Sequence, residues 1–310
     1  MTTPGPVVDS HHHVWDLTAR VPSWLDEEQP WADAAELAAL RRSFTVADLA
    51  PEAAAAGVTS TVVVQTAAEA AETPELLALA AGSGLIAGVV GWVDLTGPDV
   101  VGAIAALRAR PGGDRLVGIR HPVLVEPDDA WLARPDVLRG LAAVAQAGLV
   151  YDVVCRQQQL PATVTAAGAL PELTFVLDHM GNPGNDAPRA GPWAGAIGAL
   201  GARPNVVAKL SGILSDAFPD PGHGAAPGQG GPPVPDLGHV APQVRACFDA
   251  ALRAFGNNRL MFGSDWPVCT LTARYADVLA AARALTAALS PAEQSAVFAG
   301  TARRVYRLGG

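Results

Sequence analysis

The feature that most constrains the fold of this chain is a series of eight short apolar runs, rich in β-branched residues. Each run is apolar almost throughout, and this pattern is typical of parallel strands that are buried on both faces. The runs cover residues 7–12, 60–66, 85–93, 116–123, 149–155, 173–180, 205–212 and 259–268. The segments between them have helical periodicity, for example over 72–81, 99–110, 136–148 and 243–255.

This alternation predicts the fold class. A strand, a helix and a second parallel strand form a right-handed unit, and eight such units in 310 residues are typical of a closed barrel. An open doubly wound sheet is the alternative, but no Gly-rich dinucleotide loop follows the first run. We therefore predict an α/β protein with a (β/α)₈ TIM barrel, which forms a single domain over residues 1–310.

Composition limits the partners and the compartment. Hydrophobic residues make up 50% of the chain, charged residues make up 16%, and the formal net charge is −9. Neither nucleic acid nor an anionic membrane is therefore expected as the main partner. Three cysteines without paired spacing, no leader-like N-terminus and no apolar run of spanning length predict a cytoplasmic protein. We expect a small-molecule substrate, and a homodimer is compatible with the sequence.

One stretch departs from the alternation of strands and helices. Residues 216–239 are rich in Pro and Gly and have neither strand nor helix periodicity. The stretch follows the seventh apolar run, so in a barrel it would border the mouth at the C-terminal ends of the strands. It is either a lid over that mouth or an insertion without a role.

Polar and ionisable residues stand at or just after the ends of most runs. In a barrel these ends converge on one mouth, where catalytic groups sit. The residues are His11, His13, Gln65, Thr66, Asp94, Arg120, His121, Arg156, Asp178, His179, Lys209, Ser211, Ser264 and Asp265.

His11 and His13 are candidate metal ligands. They are two residues apart on a strand, so both side chains point to one face, where two imidazoles can hold an ion that a third nitrogen and a carboxylate complete. His12 points the other way and is expected to be structural. A run of three histidines near a terminus can be the remnant of a purification tag. This run instead lies inside an apolar strand that continues to Val14 and Trp15.

His179 and Asp265 follow the sixth and eighth runs and are the expected partners. A single histidine at a strand end is more often a satisfied core residue, but the shared mouth favours a ligand or catalytic role. Asp265 can accept a proton from a water molecule that attacks a carbonyl. A divalent ion beside it would lower the pKa of that water.

Other residues are candidates for substrate recognition. Arg120 and Arg156 suit a carboxylate, because a guanidinium makes paired hydrogen bonds; salt bridges between loops are the alternative. Trp92 and Trp266 follow strand ends, where an indole either stacks on a substrate ring or plugs the barrel. Cys269 has no evident base partner and is assigned no role.

Together these motifs resemble a known family. The segments are VVDSHHHVWD (7–16), VVGWVDL (89–95), LVGIRHPV (116–123), YDVVCRQQQLP (151–161), FVLDHMGNP (175–183), NVVAKLSGI (205–213), RLMFGSDWPVC (259–269) and FAGTARRVYRL (298–308). In this order they resemble amidohydrolase family 2, and within it the sugar-lactone hydrolases of the L-fuconolactonase and L-rhamnonolactonase type, related to 2-pyrone-4,6-dicarboxylate lactonase.

The resemblance implies a distorted barrel, with the Pro/Gly-rich insertion after strand 7, that hydrolyses the ester of a cyclic lactone. It implies that Asp265 is the general base, and we assign His179 and His121 to catalysis with it. Substrate contacts are expected from Arg120, Arg156, Gln65, Trp92 and Trp266. The metal ligands would be His11, His13, His179 and Asp265, around one divalent ion, zinc foremost, or the site works without a metal.

Two departures from the family bear on the substrate. Asn182 stands where the family usually has lysine, and residues 216–239 do not match the expected Trp- and Tyr-containing segment. The fourth strand offers no lysine to carbamylate, so a lysine-bridged two-metal centre is not expected. The alternative enzyme is a metal-dependent decarboxylase of an aromatic or related acid, and the alternative outside enzymes is a barrel that binds a small molecule without turnover.

Overall fold

Eight parallel strands form one sheet, and their order in space is their order along the chain. The computed structural model describes residues 5–25, 34–183, 192–214 and 242–309. The strands are β1 (Val7–His12), β2 (Val58–Val64), β3 (Ile86–Gly91), β4 (Leu116–Pro122), β5 (Val150–Val154), β6 (Phe175–Leu177), β7 (Val206–Leu210) and β8 (Leu260–Phe262). Each strand overlaps one apolar run, and the predicted α/β barrel is confirmed.

The barrel closes where the segment after β8 returns to β1. The amide of Asp265 donates to the carbonyl of His11 (2.8 Å), and the amide of His13 donates to the carbonyl of Trp266 (2.7 Å). His12 and Trp266 form a parallel bridge there. This join is shorter than the ladders between the other neighbouring strands, so the barrel is nearly closed and departs from regularity beside β1.

Helices lie between the strands and cover the outside of the barrel. Asp99 caps the fourth helix by accepting a hydrogen bond from the amide of Gly102 (2.8 Å). Pro135 begins the fifth helix, at a position where the backbone amide has no partner within the helix, so the proline costs no hydrogen bond. The helices are α1 (Ala34–Leu40), α2 (Val46–Ala55), α3 (Glu72–Gly82), α4 (Val100–Arg108), α5 (Pro135–Gln146), α6 (Leu160–Ala169), α7 (Pro192–Gly201), α8 (Pro242–Phe255), α9 (Tyr275–Thr286), α10 (Pro291–Ser295) and α11 (Thr301–Tyr306).

Two apolar clusters fill the fold. The larger one packs the strands against the helices, as at Ile119 and Leu141. The smaller one holds strand residues that face the barrel interior, together with Tyr306 and Leu308 from the C-terminal segment: Val8, Val62, Val64, Val90, Val150, Val176, Val207 and Met261. Because apolar side chains fill that part of the interior, the buried polar side chains collect nearer the C-terminal ends of the strands.

The sixth and eighth runs form shorter strands than the sequence predicts. The run over 173–180 is a strand only at β6, because the next residues take a left-handed turn. The run over 259–268 is a strand only at β8. The stretch 216–239 lies outside the described residues. Among the helices that the structure describes, none is both long and apolar enough to cross a bilayer.

Candidate active site

His11 and His13 meet at the C-terminal end of β1, as predicted. Their Nε2 atoms are 3.2 Å apart and both side chains are buried. His13 Nδ1 lies 2.8 Å from the carbonyl oxygen of Val64, which anchors its ring to the end of β2. His12 turns away from this pair, and its Nε2 lies 2.9 Å from Thr61 Oγ1.

His179 and Asp265 reach the same place through unusual backbone conformations. Their φ angles are +51° and +60°, in the left-handed region that residues with side chains seldom adopt and that clusters at functional sites. After β6 the left-handed turn continues through Met180 and Asn182, and asparagine tolerates this conformation better than most residues. Asn182 also donates from Nδ2 to the carbonyl of Cys155 (2.9 Å).

The carboxylate of Asp265 faces three imidazoles. Its Oδ1 lies 3.6 Å from His11 Nε2, 3.6 Å from His13 Nε2 and 4.0 Å from His179 Nε2. These gaps are longer than a hydrogen bond. The four side chains predicted as one site therefore converge.

Burial sets the charge states of these groups. It raises the pKa of Asp265, against the opposing effects of His179 and Arg120. It lowers the pKa of His179, and it lowers the pKa of His13 to about 3. At neutral pH the carboxylate therefore faces uncharged imidazole rings.

Two glycines permit the close packing of this site. A Cβ on Gly263 would lie 2.6 Å from His11 Cβ, and a Cβ on Gly212 would lie 3.0 Å from His179 Nδ1. Gly212 also has φ +63°, which favours glycine. A larger residue at either position would displace an imidazole of the site.

A buried ion network lies beneath His11. Lys209 Nζ is 2.5 Å from Asp152 Oδ2, 3.0 Å from Asp178 Oδ1 and 3.0 Å from His11 Nδ1. Arg120 Nη1 donates to Asp178 Oδ2 (3.0 Å). Burial alone would raise the pKa of Asp178, but Lys209, His11 and Arg120 outweigh it and hold that pKa well below its usual range. Two cations thus balance two carboxylates directly under the imidazoles.

Asp9 holds the segment that carries Asp265. Its carboxylate accepts hydrogen bonds from the amide (2.9 Å) and the hydroxyl (2.7 Å) of Ser264 and from the hydroxyl of Tyr275 (2.9 Å). All three side chains are buried. These bonds join β1 to α9 through the residue next to the candidate base.

The predicted substrate residues Arg120, Gln65 and Arg156 make internal contacts. Arg120 donates to both the carbonyl and Oε1 of Gln65, and both residues are buried. Arg156 donates to Asp129 Oδ1 and to two backbone carbonyls of the loop after β4. Contact of these residues with a substrate stays a prediction.

His121 lies in a separate cluster at the end of β4. Its Nδ1 accepts a hydrogen bond from Trp92 Nε1 (3.1 Å), its Nε2 lies 2.7 Å from Glu126 Oε1, and its ring stacks on Trp131. Both ring nitrogens are thus engaged, and a proton transfer by His121 would require one of these bonds to break. Trp266 is 4% exposed and packs against Phe44, an arrangement typical of a plug.

The donor set at the mouth fits a divalent metal. One ligand atom each from His11, His179 and Asp265 lie within 4.8 Å of one another, and His13 Nε2 adjoins them. Imidazole nitrogens with a carboxylate oxygen are donors that zinc takes in catalytic sites. Asp178 Oδ1 is buried, pairs with Lys209 and lies 3.3 Å from His11 Nδ1, where zinc-binding histidines usually find a carboxylate. His11, His13, His179 and Asp265 would hold the ion.

Comparison with known proteins gives the family of the chain. A family model described as amidohydrolase matches residues 8–308. The chain belongs to the amidohydrolase family. This amidohydrolase is 37% identical over 308 residues to the L-fucono-1,5-lactonase of Burkholderia multivorans, covering 97% of this chain and 96% of the relative. It is 33% identical over 305 residues to the L-fucono-1,5-lactonase of Burkholderia ambifaria, covering 97% and 95%.

A solved structure gives the same result. A crystal structure of an amidohydrolase from Burkholderia multivorans with bound zinc superposes with a TM-score of 0.83, at 34% identity, over 98% of this chain and 100% of that one. The predicted family and barrel are therefore confirmed, and the protein is a hydrolase of this family.

The role of Lys209 was not foreseen from the sequence. Lys209 and Asp178 stand at predicted strand ends, but nothing in the pattern assigns them a contact with His11, and Asp152 lies inside an apolar run. One signal was present, because Lys209 is the only lysine in 310 residues and yet stands in a buried strand.

Proposed function

We propose that this amidohydrolase opens a small cyclic lactone, a sugar-acid lactone foremost, by adding water to the ring ester. The observation that carries the proposal is the carboxylate of Asp265, which faces three neutral imidazoles at gaps of 3.6–4.0 Å. The L-fucono-1,5-lactonases that the chain resembles at 33–37% identity support the substrate class.

Asp265 is the general base in this proposal. Its carboxylate takes a proton from a water molecule as the water oxygen attacks the ester carbonyl. Because burial raises its pKa, the carboxylate is a stronger base than an exposed aspartate. The protonated carboxyl then returns the proton to the departing ring oxygen, and the product is a hydroxy acid.

Imidazole N–H groups at the mouth stabilise the negative charge that develops on the carbonyl oxygen. Hydrogen-bond donors held in a buried site stabilise such an oxyanion without reorganisation during the reaction. The left-handed turn after β6 and the bond between His179 Nδ1 and Ser211 Oγ (2.9 Å) hold the His179 ring toward Asp265. When bound, a zinc ion held by His11, His13, His179 and Asp265 supplies Lewis acidity at the same place.

The test is an assay of ring opening by pH indicator over a panel of aldonolactones. We expect turnover by the wild type, and for Asp265→Asn a loss of roughly 10²–10⁴-fold in kcat, the usual contribution of a general base. The matched control is Asp114→Asn, because the Asp114 side chain is 82% exposed and precedes β4 at the opposite end of the barrel.

Two results would contradict the proposal. One is a wild type without lactone turnover at any member of the panel. The other is Asp265→Asn with the same kcat as the Asp114→Asn control. Release of carbon dioxide from an aromatic acid, strictly dependent on added metal, would instead support the decarboxylase alternative.

A further inference from the structure

Lys209 is the one lysine of the chain, and it is fully buried on β7. Its ammonium group donates hydrogen bonds to Asp152 Oδ2 (2.5 Å) and to His11 Nδ1 (3.0 Å), and it forms an ion pair with Asp178 Oδ1 (3.0 Å). An ammonium group can only donate. The contact of 3.0 Å between Lys209 Nζ and His11 Nδ1 is therefore a hydrogen bond only when His11 Nδ1 carries no proton and accepts.

The opposite side of the imidazole pair leads to the same conclusion. The carbonyl of Val64 can only accept, so His13 carries its proton on Nδ1, which lies 2.8 Å away. Neutral His13 then has a bare Nε2. The Nε2 atoms of His11 and His13 are 3.2 Å apart, so a hydrogen bond between them requires a proton on His11 Nε2. The contacts at both ends are thus satisfied together when the His11 proton is on Nε2.

This tautomer is the wrong one for a metal ligand. Zinc takes an unprotonated ring nitrogen, and the mouth of the barrel is reached by His11 Nε2. To bind an ion, His11 must carry its proton on Nδ1 instead and donate it to a carboxylate. Asp178 Oδ1 is placed to accept it, at 3.3 Å. Lys209 opposes the change, because its ammonium group would then face an N–H group at 3.0 Å.

We propose that Lys209 is a positioning residue that holds His11 in the Nε2–H form, which weakens zinc binding at the mouth and keeps His11 as a hydrogen-bond donor to the substrate oxygen. The role of that donor rests on the proposed lactone hydrolysis. The effect on zinc and on the proton of His11 does not, and both can be measured without any substrate.

The first test reads the tautomer in the wild type. Protein labelled with ¹⁵N-histidine is examined by NMR at neutral pH without metal, and the His11 signals are identified by their loss in His11→Asn. We expect a protonated Nε2 and a bare Nδ1 at His11. A protonated Nδ1 would overturn the proposal, and this measurement needs no Lys209 variant to fold.

The second test measures zinc affinity. Metal-free protein is titrated with zinc in competition with a chromophoric chelator. In Lys209→Met the His11 proton is free to move to Nδ1 and donate to Asp178, so we expect zinc to bind roughly tenfold or more tightly, the usual scale for a residue next to a metal ligand. The His11 NMR signals should show the protonated Nδ1.

Loss of a positive charge would also tighten zinc binding, and Arg120→Met is the matched control for it. Arg120 lowers the pKa of His13 more than Lys209 does, yet it bonds to Asp178 Oδ2 and not to the His11 ring. Equal tightening in the two variants, with an unchanged His11 tautomer, would overturn the proposal. If Lys209→Met is unstable, the zinc titration uses the double variant Lys209→Met/Asp152→Asn, which removes both members of the buried ion pair together.

Discussion

Gly263→Ala probes the closure of the barrel on the site. A Cβ at this position would lie 2.6 Å from His11 Cβ and 3.2 Å from Ser211 Cβ. Carbon atoms in contact normally lie about 3.5–4.0 Å apart, so β8 and β1 must separate by about 1 Å at the level of His11. Neither neighbour is the end of a flexible side chain, because both atoms are attached directly to the backbone.

We expect this strain to affect both stability and activity. Overpacking of this kind costs about 1–3 kcal/mol of the free energy of unfolding. A displacement of about 1 Å in an active site can lower the rate by roughly 10²-fold. Urea unfolding followed by circular dichroism measures the first effect, and kcat/KM on the best lactone measures the second.

The matched control is Gly198→Ala. Gly198 lies on an exposed face of α7, and a Cβ there would meet no atom within 4 Å. Alanine in a helix is favoured over glycine by about 1 kcal/mol, so this variant should be slightly more stable and equally active. A Gly263→Ala variant with the stability and activity of the wild type would refute the close approach of β8 to His11.

Two further predictions concern the base and its support. Because burial raises the pKa of Asp265, kcat/KM should be level near neutral pH and fall on acidification, with a midpoint above the ordinary value of about 3.9; a rate that rises on acidification would argue against Asp265 as the base. Tyr275→Phe removes the buried bond to Asp9 and should lower the free energy of unfolding by about 1.5–3 kcal/mol; unchanged urea unfolding would mean that Ser264 and the His11 amide together satisfy that carboxylate.

Much of the barrel could be predicted from local patterns. Continuous β-branched runs and helical segments between them are properties of short stretches, and every one of the eight runs overlaps a strand. The lengths were predicted less well at the sixth and eighth runs, where β6 ends at Leu177 and β8 ends at Phe262. The left-handed turn at His179 could not be predicted from the sequence, because a positive φ is uncommon for any residue other than glycine, even for histidine, which adopts it more often than most.

The candidate site could also be predicted only in part. The sequence by itself determined the residue types and the strand ends on which His11, His13, His179 and Asp265 stand, because strand order and direction in a parallel barrel bring those ends to one mouth. Only the tertiary structure decided which groups the rings of His11 and His13 contact. His13 lies against Val64, 51 residues away, and His11 lies against Lys209, 198 residues away, because the closed barrel brings these residues within hydrogen-bond distance.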